Sequence, residues 1–122
     1  MLFISKKVSM NTENSQVQMR KGVLELCIMS MLTKEDSYVP NLIENLKAEK
    51  LIVVEGTLYP LLSRLKKEGY LVYNWKESRS GPPRKYYQLT LSGRTLLKEL
   101  KKTWKELSGS VNKIIQQYQY TN

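Results

Sequence analysis

The segment Ser78-Arg79-Ser80-Gly81-Pro82-Pro83-Arg84-Lys85-Tyr86-Tyr87 constrains the fold more than any other part of the chain. Tyr70–Trp75 before it and Arg84–Leu89 after it are rich in aromatic and β-branched residues, which suit a pleated surface. Between them Ser-Gly-Pro-Pro punctuates the chain, glycine supplying unusual φ and proline a fixed φ without a donor. The spacing predicts a two-stranded hairpin with Arg79, Arg84 and Lys85 at its tip. A lone hairpin is marginally stable and must lean on helices. A helical segment, Gly56–Gly69, comes directly before it and also carries cations. Helix followed by basic hairpin is the order of a winged helix-turn-helix. A basic tip can equally be edge protection in any β-hairpin, so the rest of the chain must decide.

The charge distribution favours nucleic acid. The chain of 122 residues has a net charge of +9, and that excess is unevenly placed. Residues 1–54 carry seven cations and six acids, residues 55–86 seven and three, and residues 91–122 six and two. The surplus thus falls on the third helix, the hairpin and the C-terminal helix, as expected of a phosphate binder. Composition also excludes chemistry. The sequence has no histidine, one aspartate (Asp36) and one cysteine (Cys27). Histidine-based triads, Cys-His dyads and clustered His/Cys metal sites are therefore ruled out, and neither an enzyme nor a cofactor is expected. Cys27 lies in an apolar run and is expected as a small core residue. No apolar stretch reaches the ~18 residues of a membrane span, and the first ten residues lack a signal-peptide pattern. The expected location is the cytoplasm, with no membrane partner.

The length suits one domain with an appended helix. Residues 1–18 are polar and are expected as a flexible tail; Met10 is a candidate start, which would leave residues 1–9 outside the native chain. Residues 19–90 form the expected winged-helix domain and 91–122 a C-terminal dimerisation helix. Between Met19 and Thr33 apolar residues cover nearly the whole helical circumference, the mark of a central, buried helix. A second helix over about 38–50 is expected to be capped by Asp36 or Ser37, with Pro40 in its first turn. Leu51–Val54 reads as a short strand. In the third helix Leu58, Leu61, Leu62 and Leu65 point inward, and Gly69 ends it. Thr90 caps the last helix, which runs to about Tyr118. There Leu97, Leu100, Trp104, Leu107, Val111, Ile114 and Tyr118 alternate spacings of three and four, an a/d seam. Leu91–Leu97 are expected in the intrachain core. From Leu100 onward the seam exceeds what one small domain can cover, so a second subunit is expected, with Leu100, Trp104, Leu107, Val111, Ile114 and Tyr118 at the interface.

Glu55-Gly-Thr-Leu-Tyr-Pro-Leu-Leu-Ser-Arg-Leu65, Glu68-Gly69, Gly81-Pro-Pro-Arg-Lys-Tyr-Tyr87, Leu89-Thr90 and Gly93 together resemble the signature of PadR-type transcriptional regulators. Arg20-Lys-Gly-Val-Leu-Glu-Leu26 resembles their opening, and the likeness spans about residues 19–105. The resemblance implies a mainly α winged-helix dimer, usually a repressor, with the C-terminal helix as dimerisation arm. The single C-terminal helix is similar to the smaller PadR subgroup, some members of which hold planar multidrug-like compounds between two tryptophans at the dimer centre. Trp104 matches that tryptophan. The sequence departs from the pattern at Val39-Pro40, where a glycine and tyrosine are usual, and at Val54, where a serine usually caps the third helix.

In a helix-turn-helix the second helix of the pair enters the major groove. Thr57, Tyr59, Ser63 and Arg64 are therefore candidates for base edges or nearby phosphates, with Lys67 on phosphate. Arg64 could fork onto guanine or stop at a phosphate. Arg79, Arg84 and Lys85 are expected at the minor groove or flanking backbone. Tyr38 either offers its hydroxyl to a phosphate beside the second helix or packs as an ordinary aromatic. One of Tyr86 and Tyr87 belongs to the core. Trp104 is either hydrophobic glue between two helices or one wall of a slot for a planar aromatic effector. The expected partners are double-stranded DNA with two-fold symmetry, a second copy of the chain and that effector. A winged-helix module that binds protein and no DNA is the alternative.

Overall fold

The computed structural model describes residues 2–119, and side chains from Thr12 onward. Its elements run α1 (Leu2–Met31), α2 (Val39–Ala48), α3 (Glu55–Lys67), β1 (Leu71–Ser78), β2 (Gly81–Leu89) and α4 (Leu91–Gln117). This is the mainly α architecture with one antiparallel hairpin that the sequence implies. Met1 and residues 120–122, the extremities of the expected tail and arm, lie outside the described residues.

One core gathers residues from every element. Leu24, Ile28, Met29 and Leu32 come from α1 and the residue after it, Val39, Leu42 and Leu46 from α2, and Leu58, Leu62 and Leu65 from α3. The wing adds Leu71, Tyr87 and Leu89, and α4 adds Leu97. Within each helix these positions recur at three and four, so each presents one apolar stripe to the centre. Leu61 and Cys27 are only partly buried against this core. Leu91 departs from expectation: it is 85% exposed, because Gly93 and Leu97 hold the buried face of α4's first two turns and Leu91 points away from it.

Three local expectations are corrected. Residues 2–18, read as an irregular tail, continue α1 without a break. The sequence has no proline or glycine before Gly22, so nothing in it stops the helix, although residues 12–22 are solvent-exposed. Leu51–Val54 belongs to no helix or strand and, among the described residues, pairs with no strand; Leu51 and Val53 turn partly inward while Ile52 and Val54 remain exposed. The third strand-like contact comes instead from Ser37, whose N–H donates to the Tyr87 carbonyl at 3.2 Å and whose carbonyl accepts from the Tyr87 N–H at 2.8 Å. This pairing also removes the expected cap. Tyr38, not Asp36 or Ser37, is the N-cap of α2, and its side chain makes no capping bond. Val54 likewise heads α3 with no side-chain cap, and Glu55 supplies negative charge to that first turn.

The ends of α2 and α3 share one device. After α3, the Tyr70 N–H donates to the Leu65 carbonyl at 2.9 Å and the Gly69 N–H to the Lys66 carbonyl at 3.0 Å. That is a Schellman turn, with Gly69 at φ +86°. After α2, Leu51 donates to Leu46 and Lys50 to Lys47 in the same pattern. Here the left-handed residue is Lys50, at φ +64°, which costs roughly 1 kcal/mol relative to glycine. The two turns direct the chain into α3 and then into the wing.

Candidate nucleic-acid interface

The wing is built so that its two faces carry different cations. In the hairpin register Tyr73 stands opposite Tyr87 and Trp75 opposite Lys85, while Asn74 faces Tyr86 and Lys76 faces Arg84. Side chains alternate across a strand, so the first set looks toward α3 and the second toward Tyr38 at the start of α2. On the first face the Lys85 ammonium sits 4.1 Å from the Tyr73 ring centroid, and Lys66 of α3 lies 5.0 Å from the same ring. On the second, Arg84 lies 4.8 Å from the Tyr38 ring and Lys76 4.6 Å from that of Tyr86. Tyr38 and Tyr86 are themselves 5.4 Å apart. A cation over an exposed aromatic ring is stabilised by about 0.5–1 kcal/mol, enough to bias where these flexible side chains rest. The turn is tighter than the sequence suggests: Ser78 pairs with Gly81, leaving Arg79 and Ser80 as the tip.

Between β2 and the start of α2 runs a groove of about 330 Å³, lined by Tyr38, Pro40, Tyr59, Trp75, Arg84 and Lys85 among others. Four of the sequence candidates, Tyr38, Tyr59, Arg84 and Lys85, thus meet in one place although they come from three elements. Tyr87, beside them, is the core tyrosine of its pair. Burial, above all, pushes its phenol above the usual range.

The other candidates lie elsewhere. Ser63 and Lys67 are exposed on α3, and Arg79 is exposed at the tip. Thr57 is half-buried and borders a separate cavity of about 210 Å³ with Lys21, Leu24 and Cys27 of α1. Arg64 is engaged: it donates to Glu25 of α1 at 3.1 Å and to Glu68 at 3.2 Å. Desolvation alone would lower its pKa, but the hydrogen bond and charge of Glu25, with those of Glu68, outweigh it and raise the value. Any contact that Arg64 makes with DNA must share its guanidinium with these carboxylates. Its present role is to tie α1 to α3.

Lys66 and Lys76 escaped the sequence reading. Lys66 is at i+7 from Tyr59 and i+3 from Ser63, so helical spacing already put it on their face. Lys76 could be found only from the hairpin register, and its ion pair with Asp36, at 3.5 Å, joins residues distant in sequence. Among the described residues no cluster of His, Cys, Asp or Glu could hold a metal ion, and no helix is long and apolar enough to cross a membrane. Cys27 is unpaired, and burial raises its thiol pKa.

Comparison with known proteins places this geometry. The pattern of the transcriptional regulator PadR-like family matches residues 28–99. A PadR-like transcription factor of Bacteroides fragilis is 57% identical, with a TM-score of 0.68 over 83% of this chain and 98% of its own. A PadR-like transcriptional regulator of Bacillus cereus is 41% identical, with a TM-score of 0.71 over 81% and 97%. One from Eggerthella lenta is 31% identical, with a TM-score of 0.75 over 88% and 90%. An uncharacterised protein of Lysinibacillus sphaericus is 30% identical over 90 residues, which is 71% of this chain and 83% of that one. The winged-helix scaffold, its basic wing and these likenesses agree: the chain belongs to the PadR-like family of transcriptional regulators.

Proposed function

We propose that the protein is a homodimeric repressor that binds an operator of two-fold symmetry through α3 and the wing. The observation that carries this reading is the groove in which Arg84 and Lys85 meet Tyr38 and Tyr59. It offers cations for phosphates and hydroxyls within reach of the same backbone. The dimer is supported by α4. Trp104, Leu107, Val111, Ile114 and Tyr118 of the seam all stand exposed in the single chain, and Ile115 widens the stripe. Apolar surface of that extent on one helix marks an interaction site.

Footprinting on the promoter of its own gene should show two protected half-sites about one helical turn, ~34–36 Å, apart. Arg79, Arg84 and Lys85 of each subunit give six cations per dimer, so log affinity should fall with log salt at a slope of about −5 or steeper. A single asymmetric contact, or binding indifferent to salt, would favour the protein-interaction alternative.

An effector is part of the proposal. Trp104 is 46% exposed on the seam side of α4, so a partner's Trp104 across a two-fold axis would complete a flat slot. A planar aromatic or cationic compound should then quench tryptophan fluorescence with about one molecule per dimer and loosen the operator complex. Trp104→Ala should abolish most of the quenching and leave ligand-free DNA binding in place. Trp75 gives a separate signal, identified by its own substitution. If Trp104→Ala instead dissolves the dimer, the tryptophan is glue and no slot exists.

A further inference from the structure

Two lysines from different elements converge on one tyrosine. Lys66 belongs to the last turn of α3 and Lys85 to β2, yet their ammonium groups lie 5.0 Å and 4.1 Å from the Tyr73 ring centroid. Among the described residues neither makes an ion pair, whereas Arg64 and Lys76 both do. Two unneutralised like charges drawn toward a common point repel each other, and in water nothing would keep them there without an attraction. The ring supplies one through the negative face of its π system. Trp75 edges against Tyr73 at 6.2 Å with their planes at 86°, and Tyr73 lies 5.8 Å from the buried Tyr87. The ring is thereby fixed to both the hairpin and the core.

We propose that Tyr73 is a positioning residue that holds Lys66 and Lys85 as a clamp for one stretch of DNA phosphate backbone between α3 and the wing. This rests on the DNA-binding reading above and deepens it. The clamp sets the distance between helix and wing at which a strand is gripped, and it does so before DNA arrives. Ordering two rotamer-rich lysines in advance lowers the entropy lost on binding. The ring itself meets no phosphate, so its contribution is to affinity and not to the number of ions released.

Salt dependence separates these roles. A fluorescein-labelled 30-base-pair duplex of arbitrary sequence is titrated with the full chain at several salt concentrations. Lys66→Gln and Lys85→Gln should each reduce the slope of log affinity against log salt by about 0.9 for every phosphate left without its cation. Tyr73→Leu should keep the wild-type slope and weaken binding up to about tenfold, the scale of ordering two lysine side chains on binding, with Lys85 still 5.6 Å from the Trp75 ring and 5.8 Å from that of Tyr87. Tyr73→Phe, which keeps the ring, should restore wild-type affinity. The proposal is overturned if folded Tyr73→Leu binds as tightly as wild type, or if Tyr73→Phe is as weak as Tyr73→Leu. Should Tyr73→Leu fail to fold, the exposed Lys66 decides alone, since an unchanged slope in Lys66→Gln removes the clamp. Failure of the wild-type protein to bind the duplex in any salt-dependent way would overturn the DNA-binding reading itself.

Discussion

Replacing Gly93 by alanine should lower the melting temperature by about 10 °C, although alanine is the better helix former. Gly93 lies in the first turn of α4, where a Cβ would run into the Tyr70 carbonyl oxygen and lie 3.1 Å from its carbon and 3.3 Å from a Leu89 methyl. Two of these three neighbours are backbone, which cannot swing away as a side-chain tip does. They are also tied down. The Thr90 N–H donates to the Tyr70 carbonyl at 3.1 Å, the Thr90 and Ser92 hydroxyls donate to the Gly69 carbonyl at 2.7 and 2.8 Å, and the Gly93 N–H donates to Thr90 Oγ1 at 3.0 Å. Relieving the overlap means lifting the helix start off the α3–β1 turn and losing two or more of these bonds. At about 1 kcal/mol each plus residual strain, the cost is roughly 3 kcal/mol. That outweighs the ~1 kcal/mol gain in helix propensity, and for a chain of this size it corresponds to about 10 °C. Gly109 makes the control. It sits in the same helix with nothing within 4 Å of an added Cβ, so Gly109→Ala should raise the melting temperature by a few degrees. Thermal unfolding followed by circular dichroism tests both, and a Gly93→Ala protein that melts like wild type would show that the junction is loose.

That junction illustrates what could be read from the chain and what could not. The Thr90 cap and the Gly69 stop are local: each depends on a residue type and its neighbours within one turn, so both were legible. The meeting of the two is tertiary, and Gly93 reads in sequence only as part of the family signature. The same division holds in the interface. Arg84 and Lys85 announce themselves by their place beside a turn. Tyr38 and Tyr59 were recognisable as helix-surface residues, but nothing local says that they share a groove with the wing. Arg64 looked like a free reader because Glu25, its closest partner, is 39 positions away. Leu51–Val54 misled for the opposite reason. Its β-branched residues do favour an extended backbone, yet a strand also needs a neighbour, and Ser37 had already taken the available place beside Tyr87.

The seam on α4 carries the second large effect. In the single chain Leu107 is 52% exposed and Ile114 57% exposed, so replacing both by glutamate should leave the subunit folded. In a dimer joined along this stripe the same changes would bury four carboxylates close to the two-fold axis. Each would lose hydration, and no cation of the seam stands ready to neutralise it; the cost is several kcal/mol per dimer. Leu107→Glu with Ile114→Glu should therefore halve the mass seen in sedimentation while the helical circular dichroism persists. Operator affinity should fall by a factor of about 100 or more, because two linked heads bind as one unit and separate heads do not. Binding of a lone half-site at low salt should survive, since Arg84, Lys85 and the groove around them are untouched. A variant that retains the dimer mass would take Leu107 and Ile114 out of the interface and leave them on the solvent-exposed surface. The two subunits would then have to meet through another surface, and that surface, not the α4 stripe, would set the spacing of the two heads on the operator.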